Sequence, residues 1–285
     1  MTADGKRQDE SITLSYKTLG SGNETILAFH GFGHSKEDFS MIEPFLSGNE
    51  RIIAIDLFGH GQAAFPESRM KNDPISKKEW KTLIEDILIQ EKVNKFHLIG
   101  YSLGGRMALV TFEMFKDRVK SVFLFSPDGL HKTPSFAFAN ESKIGRALFR
   151  VGIKHYPKVK PIVKLLHDLY LVPRSKARFI IRQMENPSRI EMARYVWSAL
   201  SICWPDLDKI FDDQTKQIQI VVLFGKYDPL IKPSYGNVLD KYPLHNINRF
   251  ILPIGHRTIS REGFEVLTNE GYWPIQSSIT VGSPT

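Results

Sequence analysis

The sequence predicts an α/β protein: a doubly wound, mostly parallel sheet with a helical segment inserted between two of its strands. Three observations point there. Near-continuous apolar runs, such as Ile52-Ile53-Ala54-Ile55 and Ile220-Val221-Val222-Leu223-Phe224, recur at wide spacing, as do strands buried on both faces of a parallel sheet. Helical patterns alternate with them, the arrangement that right-handed crossovers build. The alternation stops after Ser126 and resumes at Ile218, and the stretch between carries helical signals only.

In chain order the pattern predicts strands over 11–18 and 24–30, a helix over 36–46, a strand over 51–56 and a helix over 76–91. A strand over 96–101, an amphipathic helix over 104–115 and a strand over 121–126 follow. Within the insertion, Asn140 is placed to cap a helix with Ile144, Ala147, Leu148 and Val151 on one face. Two short helices are expected over 161–170 and 174–184. Ser188-Arg189-Ile190-Glu191 reads as a capping box opening a helix through Cys203, which Pro205 ends. Strands over 218–224 and 247–253 complete the sheet. After them, Gly263, Gly271, Pro274, Gly282 and Pro284 leave only 265–269 as a helical turn, so the last crossover reads as short or absent. The domains are therefore 1–130 with 216–285 as the core and 131–215 as a helical cap. Such an insertion is expected over the carboxyl ends of the strands, where these sheets bind ligands.

The chain has 285 residues and one cysteine, Cys203, so no internal disulfide can form. The first ten residues are polar and no apolar run approaches a membrane span, which predicts a soluble, cytoplasmic protein. The formal charge of +7 is unevenly placed: residues 131–215 hold 15 Lys and Arg against 8 Asp and Glu, and the remainder is balanced at 23 each. A solvated helical face, attraction of an anionic substrate and peripheral contact with a membrane surface are three readings of that excess. Nucleic-acid binding is not expected, because the basic residues form no recognisable module.

The chemistry begins at Gly100-Tyr101-Ser102-Leu103-Gly104. A bare G-x-S-x-G arises by chance in about one chain in ten of this length, so context decides. Here an apolar strand leads in and a helix leads out, which puts Ser102 on a sharp strand-to-helix turn with its hydroxyl presented above the sheet. The amide of Leu103 then faces the place where an oxyanion develops. His30-Gly31-Phe32-Gly33, also after a strand, supplies Phe32 as the second backbone N–H donor. Gly225-Lys226-Tyr227-Asp228-Pro229 and Gly255-His256-Arg257 each follow a later strand. Asp228 is the expected acid that fixes the tautomer of His256, the general base. Asp128, in Ser126-Pro127-Asp128-Gly129, is the rival acid, with a turn role the simpler reading.

The order Ser102, Asp228, His256 is nucleophile, acid, histidine, and the chain resembles the α/β-hydrolase-fold superfamily of capped serine esterases and lyases. Asp56-Leu57-Phe58-Gly59-His60-Gly61-Gln62 is similar to the D-x-x-G-H-G-x turn of that family. Gly100-Tyr101-Ser102-Leu103-Gly104-Gly105-Arg106 resembles the elbow of the menaquinone-pathway hydrolase-fold lyase. That likeness implies Arg106 as a contact for an acidic substrate, and Tyr101, adjoining the serine, is a second candidate contact. A serine in place of an aspartate argues against epoxide hydrolase or haloalkane dehalogenase chemistry.

The leading expectation is hydrolysis of a small ester or thioester through an acyl-enzyme, with no cofactor and no metal. A triad-dependent lyase or C–C bond hydrolase acting on an acidic substrate is the alternative. A non-catalytic binding protein on the same fold is the third reading, because fold alone does not fix function.

Overall fold

Among the described residues, seven strands form one sheet in the order β1-β3-β2-β4-β5-β6-β7. The computed structural model describes residues 11–70, 73–133, 137–138, 142–159, 161, 181, 185–243 and 245–275. The strands are β1 (Ser15–Gly20), β2 (Glu24–Phe29), β3 (Glu50–Asp56), β4 (Phe96–Tyr101), β5 (Val119–Phe125), β6 (Gln219–Gly225) and β7 (Ile247–Leu252). From β3 across to β7 every pairing is parallel. Residues of β2, β4, β5 and β6 such as Ile26, Ile99, Leu124 and Val222 are at most 1% exposed. That double-sided burial is why these strands read as continuous apolar runs rather than alternating ones.

The described residues fall into two compact units. One holds the sheet and comprises Tyr16–Ile55, Ile84–His131 and Trp204–Thr285; the other gathers the start of the chain, Asp56–Leu83 and Lys132–Cys203. In the sheet unit, α2 (Leu103–Met114) packs on β2, β4 and β5 and also meets the short α5 (Leu207–Ile210). Helix α2 was expected to be amphipathic, but every residue from Leu103 to Glu113 is buried. The sheet on one side and α5 on another explain this, and the Glu113 carboxylate is satisfied by the Asp206 backbone N–H at 2.9 Å.

In the second unit, the amino-terminal half of α1 (Lys77–Gln90) buries Trp80 against Phe58. The helix α4 (Pro187–Leu200) is tied to Glu67 by Arg194 and by the Tyr195 hydroxyl, each at 2.7 Å. The same pairing holds the Glu67 carboxyl below its usual range. The Cys203 thiol is buried and donates to the Ile75 carbonyl.

Several expected elements change in detail. The helix over 36–46 is a 3-10 helix, Lys36–Phe45. Pro44 inside it lacks the N–H that an α-helix would use. The first strand starts at Ser15 rather than Ser11, and Thr13 instead bridges Ala64. Helix α3 (Lys143–Lys154) is capped by Ser142, whose hydroxyl accepts from the Gly145 N–H; Asn140, the expected cap, lies outside the described residues. Helix α4 is capped by Asn186 rather than Ser188, because Pro187 takes the first helical position; it ends at Leu200. The helices expected over 161–170 and 174–184 lie almost wholly outside the described residues.

The largest correction is at the carboxyl end. A nine-residue helix, α6 (Arg261–Asn269), follows β7 where only a turn was expected. The Ser260 hydroxyl caps it, and Gly263 is accommodated because the helix packs closely at that point. Phe264 stacks on Phe125 and Phe45, and Trp273 donates its indole N–H to the Phe45 carbonyl at 2.6 Å. The final crossover is thus present and its aromatic residues are part of the core. Among the described residues, no helix is long and apolar enough to cross a membrane.

Candidate active site

The three loops that carry Ser102, Asp228 and His256 all belong to the sheet unit and leave the carboxyl ends of β4, β6 and beyond β7. Ser102 joins β4 to α2 with φ 52° and ψ −118°, a left-handed conformation rare for a residue with a side chain. Its N–H donates to the Phe125 carbonyl at 3.0 Å, and its own carbonyl accepts from Gly105 and Asp128 at 2.8 and 2.9 Å. The tight turn explains the small residues around it. A Cβ on Gly104 would stand 1.9 Å from the Phe29 carbonyl oxygen, and one on Gly100 would meet the Gly104 carbonyl and Ala108 below 3 Å.

His256 reaches this elbow from the loop that follows β7, the edge strand of the sheet. Its Nε2 lies 2.9 Å from Ser102 Oγ and its Nδ1 2.6 Å from Asp228 Oδ2. The Asp228 side chain is fully buried, and its second oxygen accepts the N–H groups of Leu230 and Ile231 at 2.8 and 3.0 Å. Those two bonds hold the carboxylate with one oxygen facing the imidazole. The loops carrying acid and base are joined by backbone bonds from Lys226 to Leu252 and from Tyr227 to Ile254. A Cβ on Gly225 would lie 1.9 Å from the Gly255 carbonyl oxygen, so this approach requires glycine.

With Nδ1–H donating to Asp228, Nε2 carries the lone pair and accepts the Ser102 hydroxyl. The arrangement can take a proton from serine and return it to a leaving group. Leu103 is the first residue of α2, whose N-terminal N–H groups have no carbonyl a turn earlier in the helix. The Gly31–Phe32 turn lies against the elbow: a Cβ built on Gly31 would be 3.2 Å from Ser102 Cβ. Both backbone donors anticipated for an oxyanion therefore sit in segments adjoining the serine.

The other expected residues fall out differently. Asp128 turns away from His256: its carboxylate faces the Arg106 guanidinium at 3.5 Å and accepts the Gly129 N–H at 2.9 Å. Arg106 is 4% exposed and lies over the Trp204 ring at 5.5 Å. Tyr101 is equally buried and walls the histidine, with ring centroids 5.4 Å apart. Burial and the Asp228 carboxylate push its phenol up to about 12. Sequence reasoning did not single out the buried Thr258, whose hydroxyl donates to Ser126 Oγ at 3.1 Å while its N–H bonds the His256 carbonyl. Nothing in a Thr two residues after a histidine signals that role. Among the described residues no cluster of His, Cys, Asp or Glu is arranged to hold a metal ion.

Comparison with known proteins agrees with this architecture. Residues 24–151 match the family model for the alpha/beta hydrolase fold. No curated protein matches the sequence. Among solved structures, a thermophilic esterase from Thermogutta terrifontis superposes with a TM-score of 0.63 at 17% identity, covering 91% of this chain and 92% of that one. An alpha/beta hydrolase from a Medee basin deep-sea metagenome library gives 0.62 at 16% identity, covering 93% and 97%. The meta-cleavage product hydrolase CumD of Pseudomonas fluorescens gives 0.57 at 20% identity, covering 91% and 95%.

Proposed function

For this chain of the α/β-hydrolase fold, we propose a serine hydrolase that cleaves a small ester or thioester through an acyl-enzyme. Ser102 Oγ attacks the acyl carbon while its proton passes to His256 Nε2. The amides of Phe32 and Leu103 hold the oxyanion of the tetrahedral intermediate. His256 then gives the proton to the departing oxygen or sulfur, and the C–O or C–S bond breaks. Water repeats the sequence on the acyl-enzyme, with His256 taking its proton, and the acid product leaves with Ser102 restored. Asp228 keeps Nδ1 protonated and stabilises the imidazolium without itself accepting the proton.

One observation carries this reading: the unbroken relay from Ser102 Oγ to His256 Nε2 at 2.9 Å and from Nδ1 to the buried Asp228 at 2.6 Å. The strained φ at Ser102 supports it further, since such strain persists only where the surroundings enforce it. A fluorophosphonate probe tests it together with a panel of acyl esters and thioesters of graded length. Stoichiometric labelling at Ser102 and turnover of at least one ester class are expected. Labelling elsewhere, or turnover that survives complete labelling, would refute the proposal.

Residues 131–215 are proposed to act as a cap that sets substrate choice. The absence of described strands between Lys132 and Cys203 and the grouping of that segment in a unit apart from the sheet support this. Limited proteolysis with and without the bound phosphonate is the check, and protection confined to the sheet unit would count against it.

A further inference from the structure

Helix α3 presents its apolar stripe to solvent. Ile144, Leu148 and Val151, spaced i, i+4 and i+7 and so on one face, are 68%, 59% and 57% exposed. The exposed Ala147 lies beside them, and Phe138 a few residues upstream is 52% exposed. The stripe is not the face that α3 packs with. Arg150 and Ile153 meet Ile190 and Arg194 of α4 around a cavity of about 690 Å³. A stripe of this kind normally faces a core, and here the core contact is made by a different face.

Charge indicates what the stripe faces. The helix carries Lys143, Arg146, Arg150 and Lys154 and no acidic residue, and Lys143 and Lys154 are exposed at its two ends. Across residues 132–203, 14 Lys and Arg stand against 4 Asp and Glu. Aliphatic side chains on one face, cations elsewhere on the helix and no anion of its own describe a helix that lies in the plane of an anionic lipid surface. A folded protein partner with an apolar groove would also cover Ile144, Leu148 and Val151. It would not call for a helix that carries cations and no anion, whereas a continuous sheet of phosphate headgroups would.

We propose that α3 docks the protein reversibly on anionic phospholipid bilayers, with Ile144, Leu148 and Val151 entering the acyl boundary and Lys143 and Lys154 resting among the headgroups. A single short helix gives weak, salt-sensitive binding, because each cation contributes about a fivefold factor near an anionic surface and that factor is screened by salt. Each aliphatic side chain withdrawn from water adds about a tenfold factor. This proposal is independent of the catalytic reading, since none of its residues belongs to the Ser102 site.

The test is vesicle flotation of the full-length protein with phosphatidylglycerol/phosphatidylcholine vesicles and with pure phosphatidylcholine vesicles, at low and high salt. Flotation with the anionic vesicles at low salt, little with neutral ones, and release at high salt are expected. The Ile144→Ser/Leu148→Ser/Val151→Ser variant should keep its circular dichroism spectrum and phosphonate labelling while losing partition by at least about a hundredfold. Lys143→Gln/Lys154→Gln, which leaves the apolar face intact, should lose about tenfold or more. Absence of flotation with anionic vesicles, or flotation unaltered in both variants, would overturn the proposal. So would a concentration-dependent dimer that the triple variant abolishes while vesicle binding is nil.

Discussion

The elbow helix α2 and the helix α3 have similar lengths and both carry apolar residues at helical spacing, yet they meet opposite fates. Helix α2 is buried on every side, with Arg106 and Glu113 taken inside and given partners. Helix α3 keeps Ile144, Leu148 and Val151 in solvent. Periodicity establishes that a helix forms and which residues share a face. It does not establish which face is covered, because that depends on packing neighbours, several of them distant in sequence: β2 and α5 beside the adjoining β4 and β5 for the first helix, α4 for the second. The surroundings of α2 also hold the serine in a conformation it would not otherwise adopt, whereas a solvent-facing stripe is free to engage something outside the chain.

Substitutions sharpen that contrast, beginning with the enclosed region. Ser102→Ala should lower kcat by about a million-fold, the scale seen when a triad nucleophile is removed, and abolish phosphonate labelling without altering the fold. Labelling that persists would break the comparison at its root. Asp228→Asn should cost about ten-thousandfold in kcat, because the amide leaves His256 in the wrong tautomer. Asp128→Asn, whose carboxylate faces Arg106 instead, should cost far less. Steady-state kinetics on the pair would expose a reversed ranking.

Two glycines separate the regions on stability. Gly104→Ala drives a Cβ to within 1.9 Å of a backbone carbonyl and should destabilise by about 3 kcal/mol or more. Gly152→Ala, inside α3 with nothing within 4 Å of the new Cβ, should stabilise by roughly 0.5–1 kcal/mol. Urea unfolding of both variants measures the difference. Equal effects would mean that the two helices are equally enclosed.

The smallest expected effect is one of pH. His97, buried between Ser121 Oγ at 2.6 Å and Glu24 at 3.0 Å, has its pKa held below 6.5, chiefly by desolvation. The unfolded chain therefore binds this proton more readily than the folded one. The contribution to stability is complete above pH 6.5 and declines as pH falls toward the lowered folded value. His97→Gln should flatten that part of the stability profile, and an unchanged slope below pH 6.5 would show that the ring titrates normally.

Much of the sheet was legible because doubly buried strands leave an unmistakable run of apolar residues. The site was legible because its glycines are forced: no other residue fits at Gly104 or Gly225. Helix α6 was missed because Gly263 and Gly271 read as breakers. In the structure Gly263 lets the helix close on Thr258, and Gly271 lies beyond its end with φ 75°. The burial of Arg106 was equally hidden, since a first-turn arginine looks solvent-exposed until Asp128 and Trp204 arrive from far along the chain. Thr258 left no mark at all, because a single hydroxyl bridging two loops has no periodicity.

The left-handed backbone at Ser102 sets selection for durability against selection for turnover. A side chain at φ 52° costs about 1–2 kcal/mol that glycine would not incur. Ser102→Gly should therefore melt at a higher temperature than the native chain while doing no chemistry. A lineage selected only to stay folded would drift toward glycine at this one position, whereas one selected for acyl transfer would hold the serine against that drift.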